Sequence, residues 1–202
     1  MIVDPIVLAT FIPAALALNV TPGPDMLFCL AQGLRGGPRS GWAASFGITA
    51  GGMVHALIAG LGLSALITAM PGAFEVIRYL GVCYLLYIAY KTLRTPFGGQ
   101  DAPPVSVKRA MRDGFIVNLT NPKFILFILA FLPQFVDVSR PVLPQFLLLG
   151  VVIGIGGFLI NGLVGQFAGR LKSKLTHGGG TERVMRWLTA SLFGGLALRL
   201  AV

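Results

Sequence analysis

The chain has 202 residues, of which 55% are hydrophobic and only 11% are charged. A soluble domain carries roughly 25% charged residues, so this composition excludes an ordinary globular surface and indicates one that faces lipid. The net charge of +9 would suit a nucleic-acid partner. However, the cations lie in short loops between apolar runs and form no basic stripe with interleaved aromatics, which excludes that class.

Six apolar runs follow one another along the chain, and a helix of about 20 such residues crosses a bilayer. The sequence therefore predicts an all-α integral membrane protein with about six transmembrane helices. The runs are residues 5–34, 40–74, 79–90, 114–136, 141–169 and 187–198. Asp25 is the only charged residue in the first run, and Lys123 is the only one in the fourth.

The loop charges predict the orientation of the spans. Most Lys and Arg residues lie in the loops that follow the first, third and fifth spans, whereas the opposite side has only Arg78, Arg140 and Arg199. Under the positive-inside rule, the loops rich in cations are cytoplasmic. We therefore expect a multi-pass protein of the plasma (inner, cytoplasmic) membrane with both termini on the outer side.

The two halves of the sequence resemble each other. The segment NVTP at 19–22 corresponds to NLTNP at 118–122, and the GxxxG pair at 47 and 51 corresponds to the pair at 150 and 154. Because each half holds three spans, the second copy must insert upside down, as in many secondary transporters. We predict one membrane domain of two inverted three-helix repeats, 1–94 and 111–202, joined by a cytoplasmic linker at 95–110. The paired glycines are expected to serve close helix packing.

Spans one and four each contain a predicted helix break. In Thr21-Pro22-Gly23-Pro24, both prolines lack an N–H donor and clash with the preceding turn. Asn121-Pro122 interrupts span four in the same way. Broken backbone at membrane depth occurs only where protein or a watery cavity satisfies the freed polar groups. Matching breaks near the midplane of two inverted halves indicate the substrate site of a transporter.

One charged residue follows each break, Asp25 in span one and Lys123 in span four, both roughly 15 Å from the cytoplasmic boundary. Charges at that depth are costly and mark function. They predict a site for a zwitterion, in which Lys123 and the N–H groups after the breaks hold a carboxylate. Asp25 and the freed carbonyls would hold an ammonium group or a coupling proton. The alternative is a structural Asp25–Lys123 salt bridge that locks the halves together.

The predicted substrate-binding residues belong to the two breaks and their polar neighbours. They are Asn19, Thr21, Pro22, Gly23, Pro24, Asp25, Asn118, Thr120, Asn121, Pro122 and Lys123. Some of these polar side chains are expected to cap the broken helix ends instead. Asp25 is the predicted proton carrier. His55 in span two is a second candidate for proton coupling, with hydrogen-bonded packing as the simpler interpretation.

Two stretches carry a family resemblance. NVTPGPDMLFCLAQGLRGGPRSGWAASFGITAGGMVHALIAGLGLSAL and FIVNLTNPKFILFILAFLPQFV resemble the first third and the fourth span of the LysE/RhtB amino-acid exporters, and the combination of TPGPD with NLTNPK is specific. The resemblance implies proton-driven efflux of amino acids such as lysine, threonine, homoserine or leucine, with neither enzymatic activity nor a cofactor. The family's motif residues fall on 21–25, 118 and 121–123.

Other functions have weaker support. Heavy-metal efflux needs several soft ligands, and the candidates Cys29, Cys83 and His55 lie in three different spans, so we expect no metal site and two buried, unreactive thiols. A membrane-embedded enzyme would need a convergent catalytic motif, and none appears. A channel would show downhill flux only. The expected partners are an amino acid, protons and the lipid bilayer, and the small-residue faces would allow a homodimer.

Overall fold

A computed structural model describes residues 2–69 and 106–168, together with a few single positions elsewhere in the chain. The third and sixth predicted spans and most of the predicted linker lie outside the described residues. The described part of the chain consists of helices and short connections and contains no strand. Its helices are α1 (Pro5–Val20), α2 (Pro24–Ala69), α3 (Val107–Leu119), α4 (Pro122–Leu126) and α5 (Val142–Gln166), with a π-helical turn at Phe127–Phe131 and a 3₁₀ turn at Leu132–Phe135 between the last two.

The first helix is bounded by its own sequence. The Asp4 carboxylate caps it by accepting a hydrogen bond of 2.7 Å from the Ile6 N–H, and Pro5 stands at the first position, where its missing donor costs nothing. The helix ends at Val20, directly before the predicted break. The chain resumes as α2 at Pro24, so the break falls where the two prolines place it.

Helix α2 consists of two limbs that meet at Gly37. This glycine has φ 72° and ψ −174°, a conformation that side chains with a Cβ rarely adopt. Gly33 before the turn and Gly41 after it both lie against the backbone of Gly165 in α5. The chain therefore folds back on itself at the predicted loop between spans one and two, and glycines from three segments pack at one point.

Close backbone packing fixes the direction of the helices around the second limb of α2. Gly47 lies against Met111 and Gly51 against Asn118, so this limb and α3 run in the same direction. Gly41 lies against Gly165 and Gly60 against Phe146, so the same limb and α5 run in opposite directions. The packing role predicted for the GxxxG glycines is confirmed.

A cluster of aromatic side chains closes one end of the described helices. Phe11 of α1 packs edge-on against Phe135, and Phe131 packs against Phe135, each pair with ring centroids 5.0 Å apart. Phe146 of α5 is fully buried in the same core. This core joins three parts of the chain, which are α1, the segment 127–135 that follows α4, and α5.

By length and composition, two described helices could cross a membrane, Pro24–Gly62 and Val142–Gln166. A third span is formed if α3 is counted together with Lys123–Phe135, to which it is joined at a bend of 52°. Helix α1 is apolar but shorter. The bend lies at Thr120 and Asn121, which is the break predicted in span four.

Candidate functional site

The two helix breaks border one small buried cavity. It has about 20 Å³ of free space, which is room for one water molecule and far less than the roughly 300–1,000 Å³ of ordinary small-molecule pockets. Its polar lining residues are Asn19, Thr21, Asp25, Thr49, Lys123 and Asn161, and its apolar side chains are Leu18, Met26, Ile48, Phe124 and Ile153. In this structure the cavity is therefore too small to hold an amino acid.

Lys123 contributes its ammonium group to this cavity. The side chain is only 9% exposed, and Nζ donates hydrogen bonds to the carbonyl oxygens of Leu18 at 3.2 Å and Thr21 at 3.0 Å. The last carbonyls of a helix lack partners within the helix. The break at the end of α1 thus creates acceptors, and Lys123 from the second break satisfies them.

Gly23 makes room for this interaction. A Cβ at Gly23 would lie 3.0 Å from Lys123 Nζ and 3.1 Å from Lys123 Cε. The lysine side chain therefore passes directly over the backbone of the first break. A larger residue at Gly23 would displace the ammonium from its two carbonyl partners.

Asp25 lies in the first turn of α2 and is 6% exposed. Its Oδ2 accepts a hydrogen bond of 3.0 Å from the side-chain amide of Asn118, in the last turn of α3. The carboxylate therefore sits at the positive end of α2, which favours a negative charge. Asp25, which follows the first break, is thus hydrogen-bonded to Asn118, which precedes the second.

Asp25 and Lys123 face the same cavity without a direct contact. Among the residues that the structure describes, the ion pairs are those of Arg109 and Arg112 with Asp113 and of Arg140 with Asp137. The structural salt bridge that the sequence left open as an alternative is therefore not formed in this conformation. Lys123 Nζ bonds the carbonyls of Leu18 and Thr21, whereas Asp25 is bonded only through Oδ2, and its buried Oδ1 has no hydrogen-bond partner among the described residues.

The other predicted site residues line the cavity, cap a helix or stand at a break. Asn19 lines the cavity and donates from Nδ2 to the Ile153 carbonyl at 3.0 Å. Thr21 lines it as well, but its hydroxyl donates back to Ala17 at 2.7 Å. Asn121 serves as the cap of α4, with Oδ1 accepting from the Lys123 N–H at 3.0 Å. Pro22 is buried at the break, and Pro122 begins α4.

Several of the predicted residues do not line the cavity, and two of these, Thr120 and Pro24, are exposed. Thr120 is exposed, and its hydroxyl donates to the Ile116 carbonyl of its own helix at 3.0 Å. Pro24 is exposed at the start of α2. Both shape the breaks through the backbone, which agrees with the expectation that part of the set serves the helix ends.

His55 lies behind the cavity. Its Nε2 is 3.3 Å from the backbone oxygen of Asn118, and its ring lies beside the Phe124 ring with centroids 5.8 Å apart. It therefore contacts the residue that bonds Asp25 and a residue that lines the cavity. This position suits a packing role and also a path to Asp25 through Asn118.

Sequence reasoning did not include Asn161 and Thr49 among the site residues. Asn161 of α5 lines the cavity, and its buried Oδ1 has no hydrogen-bond partner among the described residues. Gln166, at the end of the same helix, instead bonds across helices by accepting from Trp42 Nε1 at 2.9 Å. The available signal was an amide in the middle of an otherwise apolar span.

The thiols do not form a metal site with His55 in the described structure. No group of three or more His, Cys, Asp or Glu residues lies close enough to hold a metal ion, within the residues that the structure describes. Cys29 is buried, as predicted, but Cys83 is exposed. The expectation that both thiols are buried is wrong for Cys83, because an apolar run facing lipid also has exposed positions.

Comparison with known proteins bears on this arrangement. The family model of the LysE type translocators matches residues 16–202. The chain belongs to this family. As a LysE type translocator it is a membrane transport protein, and the match includes both breaks and every residue that lines the cavity.

Individual relatives are similar over nearly their whole length. The chain is 33% identical to the leucine efflux protein of Enterobacter sp. (strain 638) over 205 residues, covering 95% of this translocator and 93% of the relative. It is 32% identical to the leucine efflux protein of Salmonella typhimurium (strain LT2) over 204 residues, with the same coverage. No solved structure matches the chain.

Proposed function

We propose that this translocator exports amino acids from the cytoplasm as a secondary transporter, by proton antiport with alternating access. The observation that carries the proposal is the buried cavity between the two helix breaks. Asp25 and Lys123 both line this cavity and do not contact each other. Opposite charges that both face one cavity match the two charged groups of an amino acid. The relatives named as leucine efflux proteins support this class of substrate.

The lining of the cavity suits an aliphatic amino acid. Leu18, Met26 and Ile153 are buried apolar side chains around the polar groups. An amino-acid side chain such as that of leucine would pack against them once the cavity expands. Asp25 and the carbonyls at the end of α1 would hold the ammonium group, while Lys123 and the free N–H groups at the start of α2 would hold the carboxylate.

Alternating access accounts for the small size of the cavity. With about 20 Å³ of free space, the site cannot admit an amino acid without opening to one side of the membrane. We propose six spans in two inverted repeats, 1–94 and 111–202, with the linker at 95–110 and both termini on the outer side of the cytoplasmic membrane. The parallel course of the second limb of α2 and α3, and the antiparallel course of α5, are those that such repeats require.

Proton coupling is assigned to Asp25. Among the described residues it is the only acidic one that lines the cavity, and a buried carboxylate next to the substrate can exchange a proton for an ammonium group. His55 lies one residue away from it, through Asn118. We propose that His55 adjusts the position of Asn118 and supports proton movement to Asp25.

Counterflow in proteoliposomes tests the proposed function. Vesicles that contain the purified protein are loaded with each of the twenty amino acids in turn, and uptake of a trace of the same amino acid in labelled form is followed. Saturable exchange of leucine and a related group of amino acids is expected. Absence of exchange for every amino acid, with protein shown to be folded and inserted, would overturn the proposal.

A further inference from the structure

The ammonium group of Lys123 is bound in the way a substrate ammonium would be. It is a primary ammonium with three N–H donors, and two of them are used by the carbonyl oxygens of Leu18 and Thr21 at 3.2 and 3.0 Å. These acceptors exist only because α1 ends at the break. An α-amino acid carries the same primary ammonium group.

We infer that the carbonyls of Leu18 and Thr21 form the primary-ammonium site of the transporter, and that the Lys123 side chain occupies this site whenever substrate is absent. This inference rests on the proposed function and assigns a second role to Lys123. The lysine is an internal stand-in for the substrate. It leaves the carbonyls when the substrate ammonium arrives and returns to them when the substrate departs.

Burial makes the stand-in necessary. Leu18 and Thr21 are each only 2% exposed, and buried carbonyls without a hydrogen-bond partner are costly. An empty cavity can contract only if some donor replaces the substrate there. With Lys123 in this position the cavity has only about 20 Å³ of free space.

The exchange of partners also explains how one lysine serves two sites. While the cavity is contracted, Lys123 Nζ is engaged by the carbonyls and is not paired with Asp25 or with any other acidic residue that the structure describes. Once displaced, the ammonium is free to pair with the carboxylate of the same substrate that displaced it. The carbonyls of Leu18 and Thr21 thus have an ammonium donor in both the loaded and the empty carrier.

This mechanism separates two transport modes. Exchange uses only the carrier that holds an amino acid, whereas net efflux also requires the carrier to close and return without amino acid, with the coupling proton bound. Loss of the Lys123 ammonium therefore hinders the return step most. Lys123→Ala is expected to lower net leucine efflux by roughly tenfold or more, because a modest loss of stability of the closed, substrate-free carrier lowers its population by that factor. Exchange is expected to persist at a larger fraction of the wild-type rate.

Chemical rescue provides the decisive readout. In Lys123→Ala, methylammonium fits the space left by the side chain and can donate to the two carbonyls. It is expected to restore net efflux in this variant, whereas tetramethylammonium, which has no N–H donor, is not. Lys108→Ala, which removes an exposed cation of α3, is the matched control and should retain both modes.

A binding measurement separates this inference from the proposed function. Methylammonium should raise the melting temperature of purified Lys123→Ala by roughly 2–4 °C and leave that of the wild type unchanged. This result can be obtained even if no amino acid is exchanged. If Lys123→Ala does not fold, Gly23→Ala is the second variant, because its Cβ would lie 3.0 Å from Nζ and push the ammonium away.

Equal loss of both transport modes would contradict the inference. If exchange and net efflux fall by the same factor in Lys123→Ala or Gly23→Ala, and methylammonium restores neither transport nor stability, the lysine is a structural tie between the breaks. The ammonium site would then be refuted. Failure of the wild-type protein to exchange amino acids would instead refute the proposed function.

Discussion

The side-chain amide of Asn118 donates a hydrogen bond of 3.0 Å to the carboxylate of Asp25, although the two residues are 93 positions apart. Asn118 lies at the end of α3 and Asp25 at the start of α2. The bond therefore connects the helix before one break to the helix after the other. Together with the bonds from Lys123 to Leu18 and Thr21, it ties the two breaks across the cavity from both sides.

Asn118→Ala should destabilise the protein measurably. The variant leaves the buried carboxylate of Asp25 without its amide donor, and hydrogen bonds to charged groups contribute about 1.5–3 kcal/mol. A lower melting temperature in detergent is expected. Thr120→Ala, two residues along and exposed, is the control and should change stability little. Equal melting temperatures for the two variants would show that the Asn118–Asp25 bond carries no stability.

Asp25→Asn should uncouple transport from protons. The amide cannot carry a proton across the membrane, so uphill leucine export driven by a pH gradient is expected to fall to background, while downhill exchange continues at a reduced rate. Efflux from vesicles with and without an imposed gradient measures both. Asp113→Asn, which changes a partly exposed acid of α3, should remain coupled. Full uphill export by Asp25→Asn would show that another residue carries the proton.

Gly47→Ala should disrupt the packing of α2 on α3. A Cβ at Gly47 would overlap the carbonyl oxygen of Met111, which is backbone and cannot move aside as a side chain would. Overpacking of this kind typically costs about 1–3 kcal/mol. Gly62→Ala is the matched control, because a Cβ at Gly62 has nothing within 4 Å. The two melting temperatures should differ clearly, and a Gly47→Ala protein as stable as Gly62→Ala would contradict the close approach.

The loop between the 3₁₀ turn and α5 should respond to acid through Asp137. The hydroxyl and the backbone N–H of Ser139 donate to Asp137 Oδ1 at 2.6 and 2.9 Å and, with Arg140, hold the pKa of this carboxyl below its ordinary value. A lowered pKa in the folded state means that the stabilisation is present above the ordinary carboxyl pKa of about 3.9 and is lost as the pH falls through the lower folded value.

Asp137→Asn tests this behaviour. The melting temperatures of wild type and variant should differ at neutral pH and converge as the pH is lowered below about 4. A difference that stays constant down to the lowest accessible pH would show that the Asp137 charge has no part in holding the loop. Because the side chain is exposed, the effect at neutral pH should be small.

The sequence was sufficient to place both breaks and the turn between the limbs of α2. Proline has no N–H and fixes its own φ. Two prolines around a glycine in TPGP, and an asparagine cap before proline in NP, therefore favour a break, whereas the single Pro13 is accommodated inside α1. Gly37 lies between Arg35 and Arg39, in the short polar interval 35–39 that separates the first and second apolar runs. This interval marks the turn. These features are local, and local chemistry decides them.

The partners of the site residues could not be read from the sequence in the same way. The sequence predicted that Lys123 binds a carboxylate, but in this structure its ammonium donates to two backbone carbonyls. This partner could not be predicted, because the distance between the breaks depends on how α1 and α4 pack. Thr120 is a different case. At 100° per residue it points away from Asn118 on the same helix, so its outward position follows from helical geometry.

Substrate protection of a cysteine in the cavity tests the central claim most directly. Thr49→Cys is made with Cys29→Ala and Cys83→Ser, and its labelling by a membrane-permeant thiol reagent is timed with and without saturating leucine. Thr120→Cys in the same background is the control, because Thr120 is exposed outside the cavity. We predict that leucine slows labelling at Thr49→Cys several-fold and leaves Thr120→Cys unchanged. Equal labelling of Thr49→Cys with and without every amino acid tested would contradict substrate binding between the two breaks.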